Sequence, residues 1–414
     1  MKVLFACYGG GHVEMVLPVM RALRAQVPGV DARILALTTA AGVARRAGEQ
    51  PLGFRDFCTG ERGERALAYG EQLLGDQQHP EVAREESLAY LGLNLLEWVD
   101  TLGEAAAWER WRAVGRQGFR PVQLFERILR ALAPDVVVAT NSPRSEQAAI
   151  EAAHALGIPT LSMVDLFALP ADPYRARSLH ADRICVLSPA TRDNLAEAGV
   201  DPARIVVTGN PAFDALTGPE AQAAARAFRA ERGWGERPVV LWAGGMEPED
   251  ADPHWAGAAL GDAVQQRLVD WIATREDACL AVRYHPNEWH RFAPPAAHAR
   301  VHFSRPDREG LLPALAAADV VIVQATTVGA QAHAAGKRVL GLGFSPIVRR
   351  TGMDYARLGL AADVPELDAL LPVLERELAG IRRDGGAGAQ GTAARRVAAE
   401  IAQLAPARRQ GTRP

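Results

Sequence analysis

The sequence has 414 residues, and three constellations in it could handle a phosphorylated ligand. The first is Gly9-Gly10-Gly11-His12, which ends the apolar run Lys2-Val3-Leu4-Phe5-Ala6 and opens the helical run Val13–Arg24. A turn of this kind exposes backbone N–H groups at a positive helix end. An imidazole placed there is held neutral, which suits a general base, so His12 is the candidate base. Glu14 is close enough in sequence to orient His12 or to bind a substrate hydroxyl, and it reads equally well as a solvated first-turn acid. The second constellation is Gly244-Gly245, after the apolar run Pro238–Trp242. Without side chains, these glycines would let a pyrophosphate approach the backbone. The third combines Arg283-Tyr284-His285-Pro286 with Gln324–Gln331. Arg283 and His285 stand two apart on a strand, so they share a face and could clamp a phosphate. Thr326 and Thr327 read as ordinary N-caps that are also placed to donate hydroxyls to a phosphate.

These groups need elements to hold them. Short β-branched runs alternate with helical stretches. They fall at 33–37, 135–139, 159–164, 181–187 and 205–207 in the first half, and at 238–242, 278–283, 319–323 and 338–342 in the second. Such runs between helices indicate parallel sheets buried on both faces. Two strand–glycine–helix starts, half a chain apart, predict two α/β domains facing one ligand cleft. The expected boundaries are 1–216 for the first domain, 217–237 for a polar linker, and 238–391 for the second domain. A last helix at 392–404 is expected to cross back to the first domain. Residues 384–391 are expected to be mobile and 405–414 to be a disordered tail. Residues 60–130 break the rhythm and read as a helical insertion carrying Trp98, Trp108 and Trp111. Its arginines Arg110, Arg112, Arg116 and Arg120 could meet an acidic acceptor or a membrane surface, but read rather as a solvated helix face.

Bulk properties narrow the class. A formal net charge of −3 argues against a general nucleic-acid binder. Cys7, Cys58, Cys185 and Cys279 have no paired spacing, which fits reduced thiols in a cytoplasmic protein. Residues 1–24 lack a signal-peptide pattern and no apolar stretch approaches the length of a membrane span. Contact with a membrane would therefore be peripheral.

Taken together, these stretches resemble the GT-B group of nucleotide-sugar enzymes. The stretches 134–164 and 181–216, with Asn194, Gly199, Thr208-Gly209-Asn210-Pro211 and Asp214, are similar to UDP-N-acetylglucosamine 2-epimerases. Gly9–Pro18 resembles the N-acetylglucosaminyltransferase that completes the lipid-linked peptidoglycan precursor. Arg283–Pro286 with Thr326-Thr327 resembles CDP-glycerol glycerophosphotransferases. The sequence also departs from these families. Asn141-Ser142 stands where the epimerases carry Gly-Asp, the Pro-Glu-Glu stretch expected before Ala181 is absent, and Asp165 stands in place of a glutamate. Gln331 stands where the transferases carry a ribose-binding glutamate.

The resemblance implies a GT-B fold of two Rossmann-like domains. It implies a glycosyltransferase that takes a sugar from a nucleotide diphosphate-sugar, UDP-linked, to a hydroxyl acceptor, in the synthesis of a cell-surface polysaccharide or glycoconjugate. Gly244, Gly245, Arg283, His285, Thr326 and Thr327 would hold the diphosphate and Gln331 the ribose. His12, Glu14 and Asp165 would serve catalysis, and Gly10, Gly11, Asn141 and Ser142 the acceptor. No cofactor is implied. Asp250-Ala251-Asp252 matches a metal-binding Asp-x-Asp pattern but reads as a solvated acidic loop, so no metal is expected. Alternative readings are a 2-epimerase-like enzyme, a CDP-linked polyol-phosphate transferase, and a non-catalytic nucleotide-sugar binder.

Overall fold

The computed structural model describes residues 1–75, 79–172, 175, 180–381 and 392–405. The glycine-rich stretch 384–391 and all but the first residue of the expected tail lie outside them. The chain forms two compact units. The first comprises Met1–Ala168, Asp172–Ala212 and the helix Thr392–Leu404, and the second comprises Leu169–Ala171 with residues 213–381.

The first unit is built on β1 (Lys2–Tyr8), β2 (Asp31–Leu37), β3 (Val136–Thr140), β4 (Thr160–Met163), β5 (Arg183–Val186) and β6 (Ile205–Val207). They form one parallel sheet in the order β2-β1-β3-β4-β5-β6. Phe5 pairs with Ile34 on one side and Val138 on the other, so β1 is central. The two-residue period of a strand splits its side chains between two cores. Leu4 and Ala6 face the helical insertion. Val3, Phe5 and Cys7 face the opposite layer, where the helices Gly10–Gln26 and Thr392–Leu404 contribute Val16, Met20, Val397 and Ile401.

The insertion contains the helices Gly60–Leu74, Arg84–Leu102, Glu104–Val114 and Val122–Leu132. The first two cross closely at glycines: a Cβ on Gly92 would run into the Ala66 carbonyl. Ser188 accepts from the Thr191 amide at 3.3 Å and so caps the helix Pro189–Glu197.

The second unit is built on β7 (Val239–Gly244), β8 (Cys279–Tyr284), β9 (Val301–Ser304), β10 (Val320–Val323), β11 (Arg338–Leu342) and β12 (Ala362–Val364). Its sheet is also parallel, in the order β12-β11-β10-β7-β8-β9. The edge strands β9 and β12 are additions to the sequence reading. They are short and half-exposed, so they carry little apolar signal. Residues 217–237, expected as linker, hold the helix Pro219–Glu231, which belongs to the second unit. Pro219 opens that helix, and Phe228 and the following Trp234 are buried, which is what a polar-looking stretch concealed.

Each sheet has one point where the strand order reverses, between β1 and β3 in the first and between β7 and β10 in the second. Ligands bind open α/β sheets in the crevice outside the strand carboxyl ends at such points. Among the described residues, no helix is long and apolar enough to cross a membrane. All four cysteines are free and buried, and burial pushes the Cys58 thiol up to about 11 and the Cys185 thiol up to about 12. They are structural rather than reactive.

Candidate active site

In the first unit the switch point carries a compact polar cluster. The helix after β1 starts at Gly10, with Gly9 in a positive-φ conformation (86°), so His12 sits in its first turn above the end of β1. Thr140 ends β3, and Glu146 lies in the first turn of the next helix, Ser145–Ala155. His12 Nδ1 lies 3.1 Å from Glu146 Oε1 and 3.0 Å from Thr140 Oγ1. The same Glu146 oxygen accepts from the Tyr8 amide and from the Thr140 hydroxyl, each at 2.8 Å. Glu146 is fully buried and its Oε2 has no partner. On the other side of the ring, His12 Nε2 is 3.4 Å from Asp165 Oδ2, and each of these two side chains is one-quarter exposed. Asn141 Oδ1 faces the Asp165 amide, and Asn210 Nδ2 faces the Asp165 carbonyl, both at 3.5 Å.

This geometry changes the role expected of His12. Burial works against the charged ring, but hydrogen bonds and attraction from Asp165 and Glu146 outweigh it and raise the imidazole from 6.5 to about 10. His12 is therefore an imidazolium at neutral pH, not the neutral base that its helix-start position suggests. The partial charge of a helix end cannot compete with two carboxylates in contact. The orienting acid is Glu146 rather than Glu14, whose side chain is exposed. Sequence reasoning missed Glu146, although a signal was present. Its neighbours three, four and seven residues on are Ala149, Ile150 and Ala153, all buried, so a carboxylate stands on an apolar helix face. Of the acceptor-side residues, Asn141 is half-buried beside Asp165 and Ser142 is buried. Gly11 is exposed, and Gly10 packs under Thr39 and Val43.

In the second unit all seven residues expected to hold the nucleotide line one cavity of about 380 Å³: Gly244, Gly245, Arg283, His285, Thr326, Thr327 and Gln331. The ends of β7, β8 and β10 bring them together, at the reversal of strand order. Several of these groups already have partners. The Gly245 amide donates to Gln324 Oε1 and the Met246 amide to Glu288 Oε2, each at 2.8 Å. A Cβ on Gly244 would press into the Trp242 ring. This glycine is thus demanded by internal packing, not only by the approach of a ligand. Gln324 is held in turn by the buried Glu247, which also accepts from Ser345 Oγ at 2.6 Å and from the Ile347 amide at 2.7 Å.

Arg283 is buried and donates to Ser304 Oγ at 2.7 Å and to the Glu309 carbonyl at 3.1 Å, and burial pulls its pKa below the ordinary arginine value. His285 is exposed at the cavity edge, where its Nδ1 accepts from the Asn287 amide at 3.3 Å. Gln331 Oε1 is buried without a partner. Asp250 is exposed and pairs with Arg350 at 2.8 Å.

The family described as Glycosyltransferase Family 4 matches residues 84–212. No curated protein sequence matches the chain. The UDP-GlcNAc 2-epimerase from Methanocaldococcus jannaschii superposes with a TM-score of 0.59 at 14% identity, covering 97% of this chain and 100% of that one. The UDP-GlcNAc 2-epimerase from Neisseria meningitidis, bound to UDP-GlcNAc, gives 0.59 at 12% identity, covering 98% and 99%. The UDP-N-acetylglucosamine 2-epimerase from Rickettsia bellii gives 0.52 at 11% identity, covering 98% and 95%. With two six-stranded parallel sheets, one in each unit, this chain has the GT-B fold of these nucleotide-sugar enzymes.

Proposed function

We propose that the protein is a glycosyltransferase that moves a sugar from a UDP-linked donor to a hydroxyl acceptor, in the synthesis of a cell-surface glycan or glycoconjugate. The observation that carries this reading is the cavity at the β7/β10 reversal, where hydroxyl, imidazole, guanidinium and amide groups from three strand ends converge. The donor diphosphate takes the hydroxyls of Thr326 and Thr327 and the exposed His285. Gln331, with its unpartnered buried oxygen, takes a ribose hydroxyl. Arg283 acts chiefly by position, as a buried positive charge behind the site.

In the first unit the proton acceptor is Asp165, the carboxylate open to solvent. His12, as an imidazolium locked by Glu146, holds Asp165 in place. The acceptor oxygen attacks the anomeric carbon, the bond from that carbon to the diphosphate oxygen breaks, and the electron pair leaves with the diphosphate. The acceptor proton goes to Asp165.

A second reading is a 2-epimerase-like enzyme, favoured by the His12–Glu146–Asp165 cluster, which could move protons on the sugar itself. The two differ in whether product forms from the nucleotide sugar alone. The first test is a thermal-shift titration with UDP, CDP, GDP, ADP and dTDP, with and without Mg²⁺. At about a hundred times its dissociation constant, a ligand adds roughly 2.7 kcal/mol of stability. A preference for UDP supports the proposal, a preference for CDP redirects it to polyol-phosphate transfer, and no shift with any nucleotide refutes the donor site.

A further inference from the structure

The first unit contains a second cavity, of about 680 Å³, that the donor chemistry does not use. Its walls come from two sources. Tyr8 ends β1, Gly9, Thr38 and Thr39 follow β1 and β2 where the next helices begin, and Tyr90, Leu91 and Trp111 belong to the helical insertion. Its size falls within the roughly 300–1,000 Å³ of small-molecule sites.

The apolar surfaces are already fixed in place. The Tyr8 and Tyr90 rings lie 5.9 Å apart, and Trp111 is stacked on the buried Phe119 at 5.6 Å. One end is cationic. The exposed Arg116 lines the cavity, and Arg144 lies 4.6 Å over the Tyr8 ring with a buried Nε that has no hydrogen-bond partner. Arg116 is thus the guanidinium in the cavity wall, whereas Arg144 covers the Tyr8 ring, which is itself part of that wall. The turns around this end hold left-handed backbone at Gly9 (φ 86°), Thr38 (φ 57°) and Arg144 (φ 71°). For the two non-glycine residues this is strain of the kind that persists at ligand sites. The cavity is also tied to the polar cluster: the amide of Tyr8 donates to the Glu146 oxygen that holds His12.

We infer that this cavity binds the acceptor, and that the acceptor is a compact hydroxyl compound with a flat apolar body and one anionic group. The body lies against Tyr8, Tyr90, Leu91 and Trp111, and the anion pairs with Arg116. Naming this ligand the acceptor rests on the transferase reading. Its binding does not.

The test uses the full chain and the probe 1-anilinonaphthalene-8-sulfonate, a fused aromatic with one sulfonate. Saturable binding, read by probe emission and tryptophan quenching, is expected. Ser87 lines the cavity from the insertion, and Ser87→Trp fills it, so saturable binding should be lost. Arg116→Ala, at an exposed position, should weaken the probe about tenfold and uncharged 1-naphthol less than about twofold. The inference is overturned if the natural chain shows no saturable binding, if a folded Ser87→Trp chain binds normally, or if Arg116→Ala affects both probes equally. Sedimentation with anionic phospholipid vesicles that is lost in Ser87→Trp would overturn the compact ligand in favour of a lipid. A UDP thermal shift without probe binding would remove this inference alone. Probe binding without a UDP shift would remove the transferase reading and leave the cavity a ligand site.

Discussion

Replacing Glu146 with glutamine tests the polar cluster most directly. The glutamine side chain would keep the shape and an oxygen for the Tyr8 amide and the Thr140 hydroxyl, but it would remove a buried negative charge 3.1 Å from His12. The rise of the imidazole from 6.5 to about 10 corresponds to about 5 kcal/mol between its two protonation states. A group raised above its unfolded value stabilises the fold fully below the unfolded pKa, and that contribution is lost as pH rises through the folded one. Here the window runs from about 6.5 to about 10, and about 4 kcal/mol remains at pH 7. Because burial still opposes the charged ring when one of the two carboxylates is removed, Glu146→Gln should bring the His12 pKa well down from about 10. The assay is a ¹H–¹³C NMR titration of the histidine Cε1 signals, with His12 assigned by its loss in His12→Gln. In the natural chain the His12 signal should stay in its protonated position from about pH 5 to about 9, whereas in Glu146→Gln it should titrate at clearly lower pH. A His12 signal that titrates near 6.5, the ordinary value, in the natural chain would refute the whole account of the cluster.

Other outcomes follow from the same geometry. Asp165→Asn should lower turnover by about 10²–10⁴-fold while the UDP thermal shift is retained, whereas Glu14→Gln should leave turnover within about twofold; steady-state kinetics decides both. The alkaline limb of the pH–rate profile should lie at about 10 in the natural chain and move to clearly lower pH in Glu146→Gln, because activity requires His12 protonated. Glu247→Ala would leave the Gln324 amide, the Ser345 hydroxyl and the Ile347 amide without their acceptor, and should cost about 3 kcal/mol or more in urea unfolding of the second unit. Gln331→Ala should weaken UDP about tenfold by calorimetry without lowering the melting temperature of the unliganded chain.

Much of this protein was legible in its sequence, because local chemistry has a fixed geometry. A β-branched run buried on both faces announces a parallel strand, and glycine after it announces the turn, so all six strands of the first sheet and four of the second could be read directly. The edge strands β9 and β12 could not, since half-exposed segments of four and three residues lack a pattern. That the residues expected on the donor side would gather at one cavity was also legible, because each sits within a few residues of a strand end and parallel strands bring such ends to one edge. The charge on His12 was not. It depends on Glu146, which is 134 positions away along the chain, and on the still more distant Asp165. Both come into contact with the ring only through the order of strands in the sheet. The insertion shows the same division. Its helices were evident from composition, but the cavity they close over β1 and β2 exists only once they pack, because volume is a property of tertiary structure alone.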